Sequence, residues 1–289
     1  MFSGSFVALV TPFKKGLVDY PKLRELVEFQ IANGSNGIVI CATTGEAPTL
    51  SQEEKIRIIK ETVRQTKGRV PLIVYSGFND TKHTIQFTRA VSRFKINGAL
   101  VVVPYYNKPS QEGMYQHFKA VAEAVKLPII LYNVPSRTVV SINPETIARL
   151  SRIKNIVAIK QAISNFEELS QLRLLSDITI LSGEDSLTYP MLALGAKGVI
   201  SVAANIIPRE MALMVKKYQQ GLIDEARELH YRIFPLVRAI FLESNPVPVK
   251  TAMKLLGRLN GEVRLPLVAM SPENQKKLKA VLQKYKQLV

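Results

Sequence analysis

The feature that most narrows what this chain can fold into is a repeated unit. Eight times within residues 6–219, a run of four to six mostly apolar residues, rich in Val and Ile, gives way to a longer helical segment. The runs lie at 6–10, 37–42, 71–75, 98–103, 128–132, 156–160, 178–181 and 198–202. Short β-branched runs bounded by Gly and Pro read as strands, and strands without polar alternation are buried on both faces. The segments between them read as helices. Asp19 stands ready to cap a helix over 21–33 that has Pro21 in its first turn, and Ser51 with Glu54 has the pattern of a capping box for a helix reaching residue 66. Buried strands alternating with helices point to an α/β fold, a (β/α)8 TIM barrel of parallel strands. An open doubly wound sheet is the competitor, but no GxGxxG follows the first run and no GxxxxGK[ST] occurs anywhere.

Three further helical segments, at 223–241, 249–256 and 272–287, exceed what a barrel needs. The expected organisation is a barrel over 1–220 and a C-terminal helical extension over 221–289, divided near Gly221. With 289 residues, 47% of them hydrophobic, the chain can bury a large core. The formal charge of +16 permits contact with nucleic acid. The basic residues are dispersed, however, most concentrated in the tail at 276–286, and Trp is absent. No nucleic-acid partner is therefore expected, and the charge suits attraction of small acidic substrates. Cys41 is the only cysteine, which excludes an internal disulfide and fits a reducing compartment. His83, His117 and His230 lie far apart without a metal motif, so neither metal nor cofactor is expected. The start, MFSGSFVALVTPF, lacks the layout of a signal peptide, and a soluble, cytoplasmic protein without a membrane partner is expected.

In parallel barrels the residues just after the strands form the active face. Here they include Thr43, Thr44, Gly45 and Glu46; Tyr105, Tyr106 and Asn107; Tyr132, Asn133 and Arg137; Lys160; Gly183, Glu184 and Asp185; and Ser201. Lys160 ends an apolar strand, where loss of hydration favours the neutral amine that attacks a ketone. The competing reading is a lysine that snorkels into solvent from a strand end. A lysine with neighbouring phenol and threonine hydroxyls fits Schiff-base chemistry, and Tyr132, ending the strand before that of Lys160, is the natural proton carrier. Taken singly, each has a plainer explanation: Tyr105 and Tyr106 as rim packing, Thr43 and Thr44 as turn residues, Arg137 as a surface loop residue. Their convergence at one face favours an enzyme.

TTGE, PYYNKPSQEGMYQHF, YNVPSRT, AIKQA, LSGED, GVISVAAN and NPVPVK, in this order and spacing, resemble the bacterial 4-hydroxy-tetrahydrodipicolinate synthases of the pyruvate-dependent class I aldolase superfamily. The resemblance runs from Gly4 to the C-terminal helices. It implies a (β/α)8 barrel with a helical C-terminal region, assembled as a homotetramer of two tight dimers. Lys160 would form the imine with pyruvate, and Tyr132 would be the general acid/base. Thr43 would link Tyr132 to Tyr106 in a proton relay, with Tyr106 entering a neighbouring site across the tight dimer. Thr43 and Thr44 would hold the pyruvate carboxylate. Arg137 would grip the carboxylate of L-aspartate 4-semialdehyde, a task suited to a bidentate guanidinium. The backbone carbonyls of Gly183 and Ile200 would line the pocket. The product would be 4-hydroxy-tetrahydrodipicolinate, on the route to diaminopimelate and lysine.

The chain departs from the family pattern at Ala42 and Val139, where Gly is common, and at Gln161, where Glu is usual. Larger departures fall where lysine-inhibited members bind their feedback ligand: His83, Gln52 and Lys55 replace an acid and histidines, with Ala47 and Pro48 nearby, while Asn79 and Tyr105 are retained. Losing a carboxylate and gaining a cation disfavours the lysine ammonium, so weak or absent inhibition is expected. The nearest rival is a sibling such as N-acetylneuraminate lyase or a 2-keto-3-deoxy sugar acid aldolase, against which Arg137 and the paired threonines argue. A basic scaffold without catalysis is the alternative of another class.

Overall fold

A computed structural model describes residues 2–287. In chain order the elements are β1 (Gly4–Ala8), the short β2 (Phe13–Lys14) and β3 (Leu17–Val18), α1 (Tyr20–Ala32), β4 (Gly37–Ile40), α2 (Gln52–Thr66), β5 (Leu72–Tyr75) and α3 (Thr81–Val91). Next come β6 (Gly98–Val102), α4 (Gln111–Glu123), β7 (Ile129–Asn133), α5 (Pro135–Thr138), α6 (Pro144–Ser151), β8 (Ile156–Gln161), α7 (Phe166–Leu175), β9 (Thr179–Ser182) and α8 (Thr188–Ala193). The chain continues with β10 (Gly198–Ser201), α9 (Pro208–Gln219), α10 (Ile223–Ala239), α11 (Val247–Leu255) and α12 (Pro272–Gln287). Eight strands close a barrel in the order β1-β10-β9-β8-β7-β6-β5-β4, as expected from the repeat. Among the described residues, no helix is long and apolar enough to cross a membrane.

Two compact units make up the chain. The first is built on Pro71–Ile200. Its strands divide their side chains with period two. Val101, Leu131, Ile159 and Ile180 lie in one buried cluster with Phe118 of α4, Ile147 of α6, Leu169 of α7 and Met191 of α8. Their sequence neighbours Val102, Tyr132, Lys160 and Leu181 are also buried but lie outside that cluster, on the opposite face of the strands. The second unit comprises Gly4–Val70 and the chain from Ser201 onward. There β1 pairs with β4, α9 packs on β1 and α10, and α12 packs on α10 and α11.

The caps expected at Asp19 and Ser51 form: Asp19 accepts from the Lys22 amide, and Ser51 and Glu54 complete the reciprocal box. Several boundaries differ. The first strand ends at Ala8, because the Val10 amide donates to the Asn205 side chain rather than to a strand. The polar turn at Gly16 is flanked by the β2–β3 hairpin. The sixth barrel strand runs one residue past Lys160, since Gln161 pairs with Asn133 and Ser182. The third helix stops at Val91, with Ser92 as its cap. The helices expected at 223–241 and 249–256 occupy Ile223–Ala239 and Val247–Leu255.

Candidate active site

Tyr132 and Lys160 face each other across neighbouring strands, directly paired in the β7–β8 register. Both leave only 5% of their surface exposed. The Lys160 Nζ lies 4.3 Å from the centroid of the Tyr132 ring. Snorkelling into solvent is thereby excluded. An ammonium over an aromatic face is attracted by the ring quadrupole, and the attraction strengthens when water is excluded. Strand pairing thus holds an amine and a phenol together in a dry, confined place.

The ends of β7 and β8 are stitched by carboxamides. Asn133 is fully buried, and its Nδ2 donates to Gln161 Oε1 at 3.0 Å and to Ser141 Oγ at 2.9 Å. Its Oδ1 accepts from the Ile142 amide at 3.3 Å. The segment that follows α5 is therefore tied to the strand that carries Lys160. Gln161, a departure in the sequence, acts here as the neutral acceptor of that bond. Arg137 stands on α5, which Pro135 opens, and is exposed. A loop was expected at this point; Pro135 in the first turn and the bond from the Val139 amide to the Pro135 carbonyl make it one helical turn.

Tyr106 is 89% exposed and has a φ of +74°. The Asn107 amide donates to the Tyr105 carbonyl at 2.9 Å, closing a three-residue turn around it, a rare and strained conformation. The turn is braced by the Asn107 side chain, which donates to the Asn79 carbonyl at 2.8 Å. Burial raises the Tyr105 phenol, opposed by its hydrogen bond with the Asn79 backbone.

Gly183 follows β9 and donates its amide to the Gln161 carbonyl at 2.7 Å. A Cβ there would lie 2.8 Å from that of Ala162, so the position admits only glycine. Ile200 is buried within β10. Glu184, the residue after Gly183, is half-buried. Burial pushes its carboxyl above the ordinary range; Lys160 and Arg137 oppose the shift, and Asp185 reinforces it. One carboxyl thus feels both the amine and the guanidinium. Its position directly after a strand run was the only signal of this in the sequence.

The threonine pair belongs to the other unit. After β4 the chain turns sharply, with Cys41 at φ +54° and Glu46 at φ +56°. The Glu46 amide donates to the Thr43 carbonyl at 3.0 Å, and Thr11 Oγ1 donates to the Gly45 carbonyl at 2.7 Å. Thr43 is half-buried. Thr44 is 2% exposed and accepts from Asn245 Nδ2 at 3.0 Å. Glu46 and Lys250 form an ion pair at 2.5 Å with side chains 1% and 0% exposed. Glu46 also accepts from the Arg264 amide at 3.0 Å, and Lys250 donates to the Glu262 carbonyl at 2.8 Å. Neither Asn245 nor Lys250 was singled out from the sequence; NPVPVK was the one trace of them. The Cys41 thiol is buried and pushed up to about 12, which removes it as a nucleophile. Among the described residues, no group of three or more His, Cys, Asp or Glu side chains could hold a metal ion.

Residues 1–285 match the model of the dihydrodipicolinate synthetase family. A 4-hydroxy-tetrahydrodipicolinate synthase of Geotalea daltonii is 54% identical over 288 residues, covering 99% of each chain. The crystal structure of dihydrodipicolinate synthase from Aquifex aeolicus superposes with a TM-score of 0.97 at 49% identity, over 99% of this chain and 98% of that one. The enzyme of Cyanidioschyzon merolae with lysine bound gives 0.96 at 37% identity, over 99% and 98%. With a closed parallel barrel, a buried lysine against a tyrosine, and these matches along nearly its whole length, the chain belongs to the dihydrodipicolinate synthetase family.

Proposed function

We propose that the protein condenses pyruvate with L-aspartate 4-semialdehyde through an imine on Lys160, yielding 4-hydroxy-tetrahydrodipicolinate for diaminopimelate and lysine biosynthesis. The observation that carries the chemistry is the buried Lys160–Tyr132 pair, with the amine 4.3 Å from the ring centroid. The neutral amine attacks the keto carbon of pyruvate, and water leaves as the imine forms. The protonated imine is an electron sink, so a methyl proton can depart to give an enamine. The enamine carbon attacks the aldehyde, whose oxygen takes up a proton. The amino group of the second substrate then adds to the imine carbon, closing the ring and releasing Lys160.

Every step moves a proton, and Tyr132 is the group in place to carry it. Thr43 and Tyr106 are the remaining relay members in this reading, and the strained, exposed Tyr106 suits a residue offered to a neighbouring subunit. Thr43 and Thr44 take the pyruvate carboxylate, Arg137 takes that of the semialdehyde, and the Gly183 and Ile200 carbonyls line the pocket. Residues 221–289 form the helical region appended to the barrel of 1–220. The working form is a cytoplasmic homotetramer of tight dimers, acting without a cofactor.

The test is borohydride reduction in the presence of pyruvate, followed by peptide mass mapping and product assay. A stable three-carbon adduct on Lys160, with turnover of aspartate semialdehyde, is the expected result. An adduct with turnover of N-acetylneuraminate alone would reassign the substrate, and no adduct would end the imine mechanism.

A further inference from the structure

The segment 245–250 grips the turn that carries the threonine pair at two points. At one end Asn245, 8% exposed, donates from Nδ2 to Thr44 Oγ1 at 3.0 Å. At the other, Lys250 pairs with Glu46, whose amide holds the Thr43 carbonyl. The segment is itself fixed, because the Val247 amide donates to the Ser244 carbonyl at 2.9 Å and the Lys250 amide to the Pro246 carbonyl at 3.0 Å. Two left-handed residues, Cys41 and Glu46, bound the turn, a conformation that non-glycine residues hold only when their surroundings enforce it.

The chemistry of the Asn245 contact is directional. A carboxamide nitrogen has two hydrogens to give and no lone pair to accept with. The Thr44 oxygen is therefore the acceptor here, and its own O–H must point elsewhere. A threonine hydroxyl left alone rotates among donors and acceptors; this one is committed as a donor before any substrate arrives. That is the state required to receive a carboxylate, which accepts only.

We propose that Asn245 is a positioning residue for the 2-oxo acid: it presets the Thr44 hydroxyl as a donor to the substrate carboxylate, on a turn clamped by Glu46 and Lys250. This rests on the assignment of Thr44 to that carboxylate. Asn245 touches no reacting atom, so its effect belongs in the affinity for pyruvate and not in the chemical step.

Asn245→Ala frees the hydroxyl, and the pyruvate KM is expected to rise about tenfold, the worth of one directed hydrogen bond to a charged group, while kcat stays within about twofold. Asn245→Asp keeps the size but presents only acceptors, so it turns the O–H toward itself and raises the pyruvate KM further. The pyruvate concentration for half-maximal borohydride trapping should rise in parallel. In a Thr44→Val background, Asn245→Ala should add nothing, since its target is gone. The proposal is overturned by a normal pyruvate KM in either folded Asn245 variant while Thr44→Val raises it, or by additive effects in the double variant. If Thr44→Val itself leaves the pyruvate KM unchanged, the assignment of Thr44 is what fails.

Discussion

Replacing Lys250 by Met tests the buried ion pair most directly. Met matches the length of the lysine stem, so the stem's own packing is largely kept, while the charge that sits 4.2 Å from the Phe13 ring centroid is removed. What is lost is the countercharge of a carboxylate that is 1% exposed. Glu46 retains one bond, from the Arg264 amide at 3.0 Å, which does not neutralise it. Removing one partner of a buried pair costs about 3–5 kcal/mol. For a chain of this size about 2–4 °C of melting temperature goes with each kcal/mol, so a fall of roughly 6–20 °C is expected. The pair also gives a pH signature. Burial lowers Lys250 to about 8, against the attraction of Glu46. With a folded value below the ordinary 10.5, the unfolded chain binds the extra proton between about 8 and 10.5, so this group makes stability rise with pH across that window. Lys250→Met should abolish that rise. Calorimetry at fixed protein concentration from about pH 7 to 10.5 measures both the fall and its pH dependence. Adding Glu46→Gln removes the stranded charge and should restore part of the loss. A melting temperature unchanged in Lys250→Met, or a double variant as unstable as the sum of the singles, would refute the reasoning.

Val139 sits at φ +67° with 69% of its surface exposed, so Val139→Gly should relieve strain without losing contacts. A net gain of about 1 kcal/mol, read as a melting temperature higher by about 2–4 °C, is expected. His117 is 5% exposed, and burial lowers it to about 4, so the native state resists protonation and loses stability as pH falls from 6.5 toward 4. In His117→Gln that acid loss should be smaller by about 3 kcal/mol, measured by denaturant titration at pH 7 and pH 4. L-Lysine should inhibit weakly or not at all, because Lys55 is buried in α2 and His83 stacks on Phe78 with centroids 3.8 Å apart; a steep submillimolar inhibition curve would contradict this.

Local chemistry was legible wherever the cause lay within a few residues. The Ser51–Glu54 box, the Asp19 cap and the apolar strand runs are such cases, and their recurrence was enough to point to the closed barrel. The hairpin around Gly16 is not legible in the sequence, because strands of two residues carry no periodic signal. Alternation along 156–161 could not say which face Lys160 would occupy. That was settled by pairing with β7, which set it beside Tyr132, and by the helices that bury Ile159 on the other side.

The sequence by itself determined the repeat, the caps and the kinds of chemical group available after each strand, since these follow from backbone propensity and side-chain identity. Only the tertiary structure decided which groups meet: Asn245 with Thr44, Lys250 with Glu46, Asn133 with Gln161. Such bonds join residues 28 to 204 positions apart. Their energies depend on exclusion of water and on direction, and neither exists until the chain has closed on itself.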